Sequence, residues 1–173
     1  MRSLFPFTLV ALLTTPAAAA ELPELIAAPG EDLVTTTHAV GAQIYECEFD
    51  TAGNLVWQFR EPIATLLTSG KTVGRHYAGP IWEMIDGSVV SGKITGRASA
   101  ASPDDIALLK LDVTSRRGQG QLTLITTIQR LNTRGGVASS GACNAHHALL
   151  GVPYSADYAF YRKHGAMHAT MGE

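Results

Sequence analysis

Short segments in which apolar and polar residues alternate run through most of this sequence, and each segment ends at glycine, proline, asparagine or aspartate. In residues 39–49, for example, Tyr45, Cys47 and Phe49 alternate with two glutamates. A period of two places successive side chains on opposite faces of a β-strand. The pattern therefore predicts strands with one apolar face, and it predicts that Cys47 points into the protein.

This alternation recurs in about eight segments, which are separated by turn sequences such as Asp86-Gly87. No segment has the apolar spacing of a long amphipathic helix. The sequence predicts an all-β fold, an antiparallel β-sandwich or barrel of about eight strands with long loops, and any site is expected on the loops at one end. Residues 121–131 are predicted to form the longest strand, and Pro62 is predicted to end a hairpin arm.

The N-terminus has the parts of a secretory signal peptide. Arg2 precedes an apolar run over residues 4–13, and residues 18–20 are alanines. Residues 1–20 are therefore predicted to be a signal peptide that is cleaved before Glu21, with an uncleaved anchor as the alternative. The apolar run is too short to span a bilayer, and no later run approaches that length.

Cleavage would leave a single β domain, residues 21–173, with a flexible C-terminal tail from about residue 164. Of the thirteen basic residues, Arg2 leaves with the signal peptide, so twelve remain against fifteen acidic residues and the formal charge is −3. The absence of a basic block argues against nucleic acid as a partner. The predicted location is secreted or periplasmic, with no membrane span.

Cys47 and Cys143 are the two cysteines of the chain. An even number of cysteines in an oxidising compartment favours a disulfide bond between them. Two buried free thiols or a thiolate metal site are the alternatives. Neither cysteine has a C-x-x-C neighbour, which argues against redox catalysis.

Residues 73–88 concentrate polar and aromatic side chains between two apolar runs. Backbone geometry explains the glycines and the proline of this segment, whereas strand and turn chemistry require neither His76 nor Glu83. Together with aromatic residues elsewhere, these two would line a pocket or groove for a small ligand or a surface component. The alternative is that the aromatic residues fill the core. The predicted ligand-binding residues are His76, Tyr77, Trp82, Glu83, Tyr154 and Asp157.

Histidines near the C-terminus suggest a metal site. His146 and His147 follow Cys143, and the tail adds His164, His168 and two methionines, Met167 and Met171. Imidazole and thioether groups together suit copper, especially the reduced ion. The spacing is not that of a structural zinc motif, and adjacent histidines on a strand would point to opposite faces. A tail with incidental histidines is the alternative.

Hydrolytic chemistry has less support in the sequence. No G-x-S-x-G motif is present, so a serine nucleophile has no recognisable setting. A glycosidase would need two facing carboxylates, for which Glu83 with Asp86 or Asp157 are the candidates. The simpler interpretation is that Asp86 is a turn residue and that Asp157 anchors a loop.

Seven motifs are spread over the chain after residue 20. They are, in order, Gln43-Ile44-Tyr45-x-Cys47, Trp57-x-Phe59, Gly74-x-His76-Tyr77-Ala78-Gly79-Pro80-x-Trp82-Glu83, Asp86-Gly87-Ser88, Ile128-Gln129-Arg130-Leu131-Asn132-Thr133-x-Gly135-Gly136, Cys143 and Val152-Pro153-Tyr154-Ser155-Ala156-Asp157-Tyr158-x-Phe160-Tyr161. With these motifs, nearly the whole chain after residue 20 resembles a family of small secreted bacterial and fungal proteins that is catalogued as a domain of unknown function. The resemblance implies export, a compact domain and two family-type cysteines, and it implies no activity. Some fungal relatives are labelled malate dehydrogenase, but this sequence has neither the glycine-rich phosphate loop nor the parallel-sheet pattern that such an enzyme needs.

Three functions follow as hypotheses. The first is a non-catalytic secreted module that binds a small ligand or a surface component. The second is a periplasmic copper-binding protein that uses His146, His147, His164 and His168. The third is a hydrolase with a site around His76 and Glu83.

Overall fold

The structure, a computed structural model, describes residues 22–139 and 141–166. Eight antiparallel strands in this part of the chain close into one barrel, in which each strand pairs with the next and the last pairs with the first. The predicted all-β fold is confirmed, in its barrel form. The strands are β1 (Glu31–Phe49), β2 (Leu55–Thr68), β3 (Lys71–Tyr77), β4 (Ile81–Met84), β5 (Val89–Ala98), β6 (Leu108–Arg117), β7 (Thr127–Gly135) and β8 (Leu149–Lys163).

The longest of these strands is β1, with 19 residues, so the prediction for residues 121–131 is wrong. Residues 121–124 form turns, and β7 begins at Thr127. The Thr123 hydroxyl donates to the Gly120 carbonyl at 2.8 Å and accepts from the Gly120 amide at 2.9 Å. A threonine that bonds to nearby backbone in this way competes with strand pairing.

The prediction that Pro62 ends a hairpin arm is also wrong, because β2 continues through Pro62 to Thr68. Pro62 pairs with Gln43 of β1, next to a register shift between Ile44 and Tyr45. Irregularities of this kind are where a sheet tolerates proline, since the regular ladder of hydrogen bonds is already interrupted.

An apolar core fills one end of the barrel. The connection between β6 and β7 folds Leu122 and Ile125 into it, and both side chains are fully buried. They belong to one cluster with Leu66, Met84 and Phe160. This end of the barrel is therefore closed by packing.

Asp86 ties the β4–β5 turn to the same closed end. Its carboxylate accepts hydrogen bonds from the Ser88 amide at 2.9 Å, the Ser88 hydroxyl at 2.6 Å and the Gln121 amide at 2.7 Å. Burial by itself would raise the pKa of Asp86, but the hydrogen bonds from Ser88 and Gln121 together outweigh it and lower the pKa. The predicted hairpin turn at Asp86-Gly87 is confirmed, and its aspartate has this second, structural role.

A 3-10 helix, Glu24–Ile26, lies outside the barrel against β5 and β6. Ile26 is fully buried there, and its carbonyl accepts a hydrogen bond from the Gln129 amide. A Cβ atom at Gly96 would lie 1.9 Å from the Leu25 carbonyl oxygen, so only glycine permits this close approach. The segment before β1 is thus part of the packed structure.

The disulfide bond between Cys47 and Cys143 is present, with 5.8 Å between the Cα atoms, which confirms the predicted pairing. It joins β1 to the long connection between β7 and β8. Two backbone hydrogen bonds of 2.9 Å also join this connection to β1. The Cys47 amide donates to the Ala148 carbonyl, and the His147 amide donates to the Cys47 carbonyl. Residues 143–148 are therefore fixed along β1.

Two predicted segments fall outside the described residues: the signal peptide at residues 1–20 and the end of the tail with Met167, His168 and Met171. In residues 22–139 and 141–166, no helix has the length and apolar character needed to cross a membrane.

Candidate functional site

Next to the apolar core, toward the other end of the barrel, lies a cavity of about 290 Å³ whose lining includes the core residues Trp82, Leu111 and Tyr158. Residues 78–80, which connect β3 to β4, form part of its rim. An adjoining recess of about 360 Å³ shares Gln43, Phe59, Ile94, Leu109 and Arg130 with the cavity and extends it toward the β5–β6 and β7–β8 connections. The barrel is therefore a cup that is closed at one end and open at the other.

Three aromatic rings form one wall of the cavity. His76 of β3 is paired in register with Trp82 of β4, and the two rings stack with centroids 4.4 Å apart. Tyr158 of β8 contacts both, at 4.9 Å from His76 and 5.3 Å from Trp82. Because all three belong to the inward phase of their strands, period-two alternation is enough to bring them together.

His76 is neutral at physiological pH. Burial lowers the pKa of this histidine to about 4, although a hydrogen bond to a backbone carbonyl opposes the shift. Its Nδ1 lies 2.9 Å from the Ile81 carbonyl oxygen. A carbonyl only accepts hydrogen bonds, so Nδ1 carries the proton and Nε2 is left as an acceptor.

Several buried polar atoms in this region have no hydrogen-bond partner among the described residues. They are the Gln43 amide nitrogen, the Trp82 indole nitrogen and the hydroxyls of Tyr154 and Tyr158. Each of these residues is at most 4% exposed. An unpartnered buried group costs about 1–3 kcal/mol, and protein interiors seldom contain several together.

The two tyrosine hydroxyls lie in one group with Gln43 and Arg130. Burial raises the pKa of Tyr154, and the neighbouring Tyr158 raises it further. Burial also raises the pKa of Tyr158, while the positive charge of Arg130 and polar contacts with Tyr154 and Arg130 oppose that shift. These contacts do not meet the geometry of a full hydrogen bond, so the hydroxyl still lacks a well-formed partner. Both phenols therefore remain protonated and can donate hydrogen bonds.

The charge of the cavity is positive. Arg130 donates from Nε and Nη2 to the Ala107 carbonyl at 3.0 and 2.9 Å, which leaves guanidinium donors unused. Arg97 lines the adjoining recess. Arg60 also contributes to the cavity lining, but its guanidinium pairs with Glu46 at 3.6 Å and Glu61 at 3.3 Å, so its charge is already compensated. The described lining of both spaces includes no carboxylate. The site thus combines one or more positive charges with several uncharged donors.

The structure divides the six predicted ligand-binding residues into two groups. His76 and Trp82 line the cavity, and Tyr154 is buried beside it. Tyr77, Glu83 and Asp157 are each one residue out of phase with these positions, so alternation places them on the outer face of the sheet. The expectation of a single pocket built from all six is therefore corrected.

On the outer face, Glu83 is held by two neighbours. Tyr77 donates a hydrogen bond to it at 2.7 Å, and Arg75 donates another at 2.9 Å. The Tyr77 hydroxyl is the main cause that lowers the pKa of Glu83, followed by Arg75. A lowered pKa is the opposite of what a general acid needs, and His76 lies on the other face. This geometry gives no support to a hydrolase built on His76 and Glu83.

Asp157 also lies on the outer face of the sheet. It accepts hydrogen bonds from His38 Nδ1 and from the Asn132 side-chain amide, both at 2.8 Å. Asn132 adopts a left-handed backbone conformation, with φ of 49°, at an interruption of the β7–β8 register. Asp157 therefore fixes an irregular strand, as the simpler interpretation of its sequence context expected.

The predicted metal ligands are likewise separated. His146 and His147 lie beside Glu48 on the outer surface, where one ligand atom from each of the three falls within 4.8 Å of the others. His164 pairs instead with Asp32 at the opposite end of β1, at 2.8 Å. The prediction that His146, His147 and His164 share one site is therefore corrected, and His168 lies outside the described residues.

Adjacent histidines were expected to point to opposite faces, but the rings of His146 and His147 stack with centroids 3.7 Å apart. They lie in a turn, and His147 has a φ of 65°. The left-handed conformation at His147 breaks the alternation and turns both rings to the same side.

Gln43 and Arg130 line the cavity, but the sequence interpretation did not select them as site residues. The sequence does contain a feature that identifies Gln43 and Arg130, because each is a polar residue at a position of its strand that points into the barrel. Gln43 is spaced by two residues from Gly41 and by four from Ala39, so it lies on the same face of β1 as they do. Arg130 is two residues after Ile128 and therefore lies on the same face of β7. A polar residue among buried neighbours is more informative than an exposed one.

Comparison with known proteins gives a family and no closer relative. No curated protein and no solved structure matches the chain. A family model described as protein of unknown function (DUF3455) matches residues 28–162, from just before β1 almost to the end of β8. The chain therefore belongs to the DUF3455 family, which confirms the resemblance to a family of unknown function.

Proposed function

We propose that this protein binds a small molecule in the open end of its barrel and catalyses no reaction on it. The observation that supports this proposal most strongly is the group of buried, unpartnered donors at Gln43, Trp82 and Tyr158 around one cavity. These atoms each have less than 1 Å² of accessible surface, so a ligand reaches them only with a rearrangement of the cavity side chains, and by satisfying them it recovers the free energy that their burial costs. Natural ligand pockets combine an apolar wall with a few such convergent polar groups.

The ligand is a small carboxylate with an apolar body. The unpartnered nitrogens of Gln43 and Trp82 and the guanidinium of Arg130 are donors, so the complementary group is an acceptor. A carboxylate fits a site that contains arginine and no acidic side chain. Apolar side chains form the rest of the wall and favour an apolar remainder; they include Phe59, Pro62, Pro80, Ile94, Leu109 and Leu111.

The surroundings of His76 favour binding over catalysis. The described lining of the cavity has no serine, threonine, cysteine or carboxylate beside this histidine. A nucleophile or a paired base would be needed for acyl transfer or for hydrolysis. The neutral imidazole has only an acceptor left at Nε2, so it cannot donate to a carboxylate and contributes to the wall of the cavity through its ring.

The proposed location is the periplasm or the exterior of the cell. The buried disulfide between Cys47 and Cys143 is typical of proteins that fold in an oxidising compartment. The signal-peptide pattern of residues 1–20 supports the same location.

Calorimetric titration of the purified protein with octanoate and benzoate tests the proposal, with octanol as the uncharged probe. We expect one carboxylate per chain, and about tenfold weaker binding of octanol because the charge-assisted hydrogen bonds are lost. Gln43→Leu should weaken carboxylate binding by about tenfold. Glu83→Gln, on the outer face, is the matched control and should leave the affinity unchanged.

Two results would overturn the proposal. If neither carboxylate binds, the assignment of the ligand class is wrong. If Gln43→Leu binds them as tightly as the wild-type protein, the cavity is not the binding site.

A further inference from the structure

We propose that Glu48, His146 and His147 form a surface site for a divalent transition-metal ion, Cu²⁺ or Zn²⁺, with Glu46 as a fourth ligand. The site lies on the outer face of β1 and is independent of the barrel cavity. Its ligands come from two segments that are far apart in sequence but joined by the disulfide bond.

The ligand atoms of Glu48, His146 and His147 lie within 4.8 Å of one another, and the nitrogen–oxygen pairs are as close as neighbouring atoms in a coordination sphere. His146 Nε2 lies 2.9 Å from one Glu48 oxygen, and His147 Nδ1 lies 3.0 Å from the other. His147 Nδ1 is also 3.0 Å from Glu46 Oε1. A metal ion with nitrogen and oxygen ligands at about 2.0–2.1 Å separates neighbouring ligand atoms by roughly 2.9–3.4 Å. The side chains thus need only small rotations to share one ion.

The fold holds these ligands in place. Glu46 and Glu48 point outward on either side of Cys47, which points inward and carries the disulfide. The hydrogen bond from the His147 amide to the Cys47 carbonyl, at 2.9 Å, fixes the histidine segment at the same level. Binding would therefore cost little backbone ordering, because both segments are already fixed.

Neighbouring side chains determine how strongly each ligand can bind the metal ion. The His146 ring packs against Phe49 with centroids 4.9 Å apart, which limits its orientation. Arg60 lies 3.6 Å from Glu46 and competes for that carboxylate. The core of the site is accordingly Glu48 with the two histidines, and Glu46 is the weaker ligand.

The donor set selects the class of metal. Two imidazoles and one or two carboxylates suit divalent copper and zinc, whereas the reduced copper ion prefers thioether or thiolate sulfur. The described cluster contains no sulfur ligand. Divalent copper is expected to bind more tightly than zinc, as it does at most nitrogen and oxygen sites.

The test is calorimetric titration of the disulfide-bonded, tag-free protein with ZnCl₂ and with a Cu²⁺–glycine complex. Electron paramagnetic resonance of the copper form identifies nitrogen ligands. We expect one ion per chain, with nitrogen hyperfine structure. Glu48→Gln, His146→Gln and His147→Asn should each weaken binding by about tenfold or more. Asparagine is used at position 147 because it tolerates the left-handed conformation.

The matched control is His164→Gln combined with His168→Gln. His164 is also an exposed histidine paired with a carboxylate, so this variant separates a metal site from ordinary ion pairs. It should bind both ions like the wild-type protein. Urea unfolding of every variant shows whether the fold is retained.

Three outcomes would overturn the proposal. They are failure of both ions to bind at millimolar concentration, unchanged affinity in the His146→Gln/His147→Asn double variant, and loss of binding in the His164/His168 control. Octanoate binding by the same variants shows independently whether the cavity is intact, so failure of one proposal is distinguishable from failure of the other.

Discussion

His76 stacks on Trp82 across the β3–β4 pair, with the ring planes inclined by only 13°. The chain between them turns at residues 78–80, whose Gly79–Pro80 peptide bond is cis. The stacked pair forms part of the cavity wall and excludes water from the imidazole, which is 3% exposed. A protonated imidazole would be poorly solvated in this position.

The stability of the protein should therefore decrease on acidification below about pH 6.5. The pKa of His76 is lowered to about 4 in the folded state, so between the two values the unfolded chain binds more protons. Through His76 alone, the free energy of unfolding should fall by roughly 1.2 kcal/mol per pH unit between about pH 6 and pH 4.5. Urea unfolding at several pH values measures this slope.

His76→Gln should remove most of that slope, because glutamine does not titrate. His38→Gln, at an exposed histidine, is the control and should retain it. His147 and His164 contribute with the opposite sign. Hydrogen bonds to Glu46 and to Asp32, respectively, are the main causes that raise the pKa of each, so their contribution is complete below pH 6.5 and is lost as pH rises above it. A wild-type slope that persists in His76→Gln would contradict the assignment.

Removal of the disulfide with Cys47→Ala/Cys143→Ala should lower the free energy of unfolding by up to about 4–5 kcal/mol. The bond closes a loop with a sequence separation of 96, and a long loop gains much chain entropy when the crosslink is absent from the unfolded state. Urea unfolding of the oxidised, reduced and double-variant proteins measures the effect. The reduced wild-type protein should resemble the double variant, and equal stability of all three forms would show that packing alone fixes residues 143–148.

The predictable part of the fold is local. Period-two alternation and turn sequences such as Asp86-Gly87 are encoded by neighbouring residues, and the structure confirms the β-strands and this turn. Closure of the barrel depends on the pairing of β1 with β8, from Glu31 with Lys163 onward. Alternation says which face of a strand is buried but not which distant strand lies beside it, so a sandwich and a barrel were equally consistent with the pattern.

The candidate sites were less predictable for the same reason. Alternation along β4 places Trp82 and Glu83 on opposite faces of the sheet, whereas the interpretation of residues 73–88 predicts that both line one pocket. Glu46 and Glu48 have the pattern of solvent-exposed strand residues. Only the tertiary contact across the disulfide brings them to His146 and His147.

Gly96→Ala should destabilise the protein by about 1–3 kcal/mol. The added Cβ would clash with the Leu25 carbonyl oxygen, which belongs to packed backbone and cannot rotate away. We expect the N-terminal segment to detach, with faster proteolysis around Leu25 and a lower urea midpoint. Gly151→Ala is the matched control in β8, because its Cβ would lie 3.6 Å from the Ile44 side chain, an ordinary contact. Equal effects of the two substitutions would refute the specific role of Gly96.

Tyr158→Phe should stabilise the ligand-free protein by about 1 kcal/mol and weaken carboxylate binding by about tenfold. The substitution removes one hydroxyl that is fully buried and has no partner among the described residues, while the ring keeps its contacts with His76 and Trp82. Urea unfolding and octanoate titration of the same preparation measure both quantities. An increase in the free energy of unfolding together with a decrease in octanoate affinity is the result expected of a polar group whose role is to bind a ligand.

Tyr77→Phe is the matched control, since it removes a tyrosine hydroxyl that already donates to Glu83 on the outer face. This variant should lose roughly 0.5–1 kcal/mol of stability, because its hydrogen bond is removed, and should bind octanoate like the wild-type protein. If Tyr158→Phe is instead destabilised to the same extent as Tyr77→Phe and binds octanoate normally, its hydroxyl supports the fold. The main evidence that the barrel cavity binds a ligand would then be removed, because Tyr158 belongs to the unpartnered group with Gln43 and Trp82.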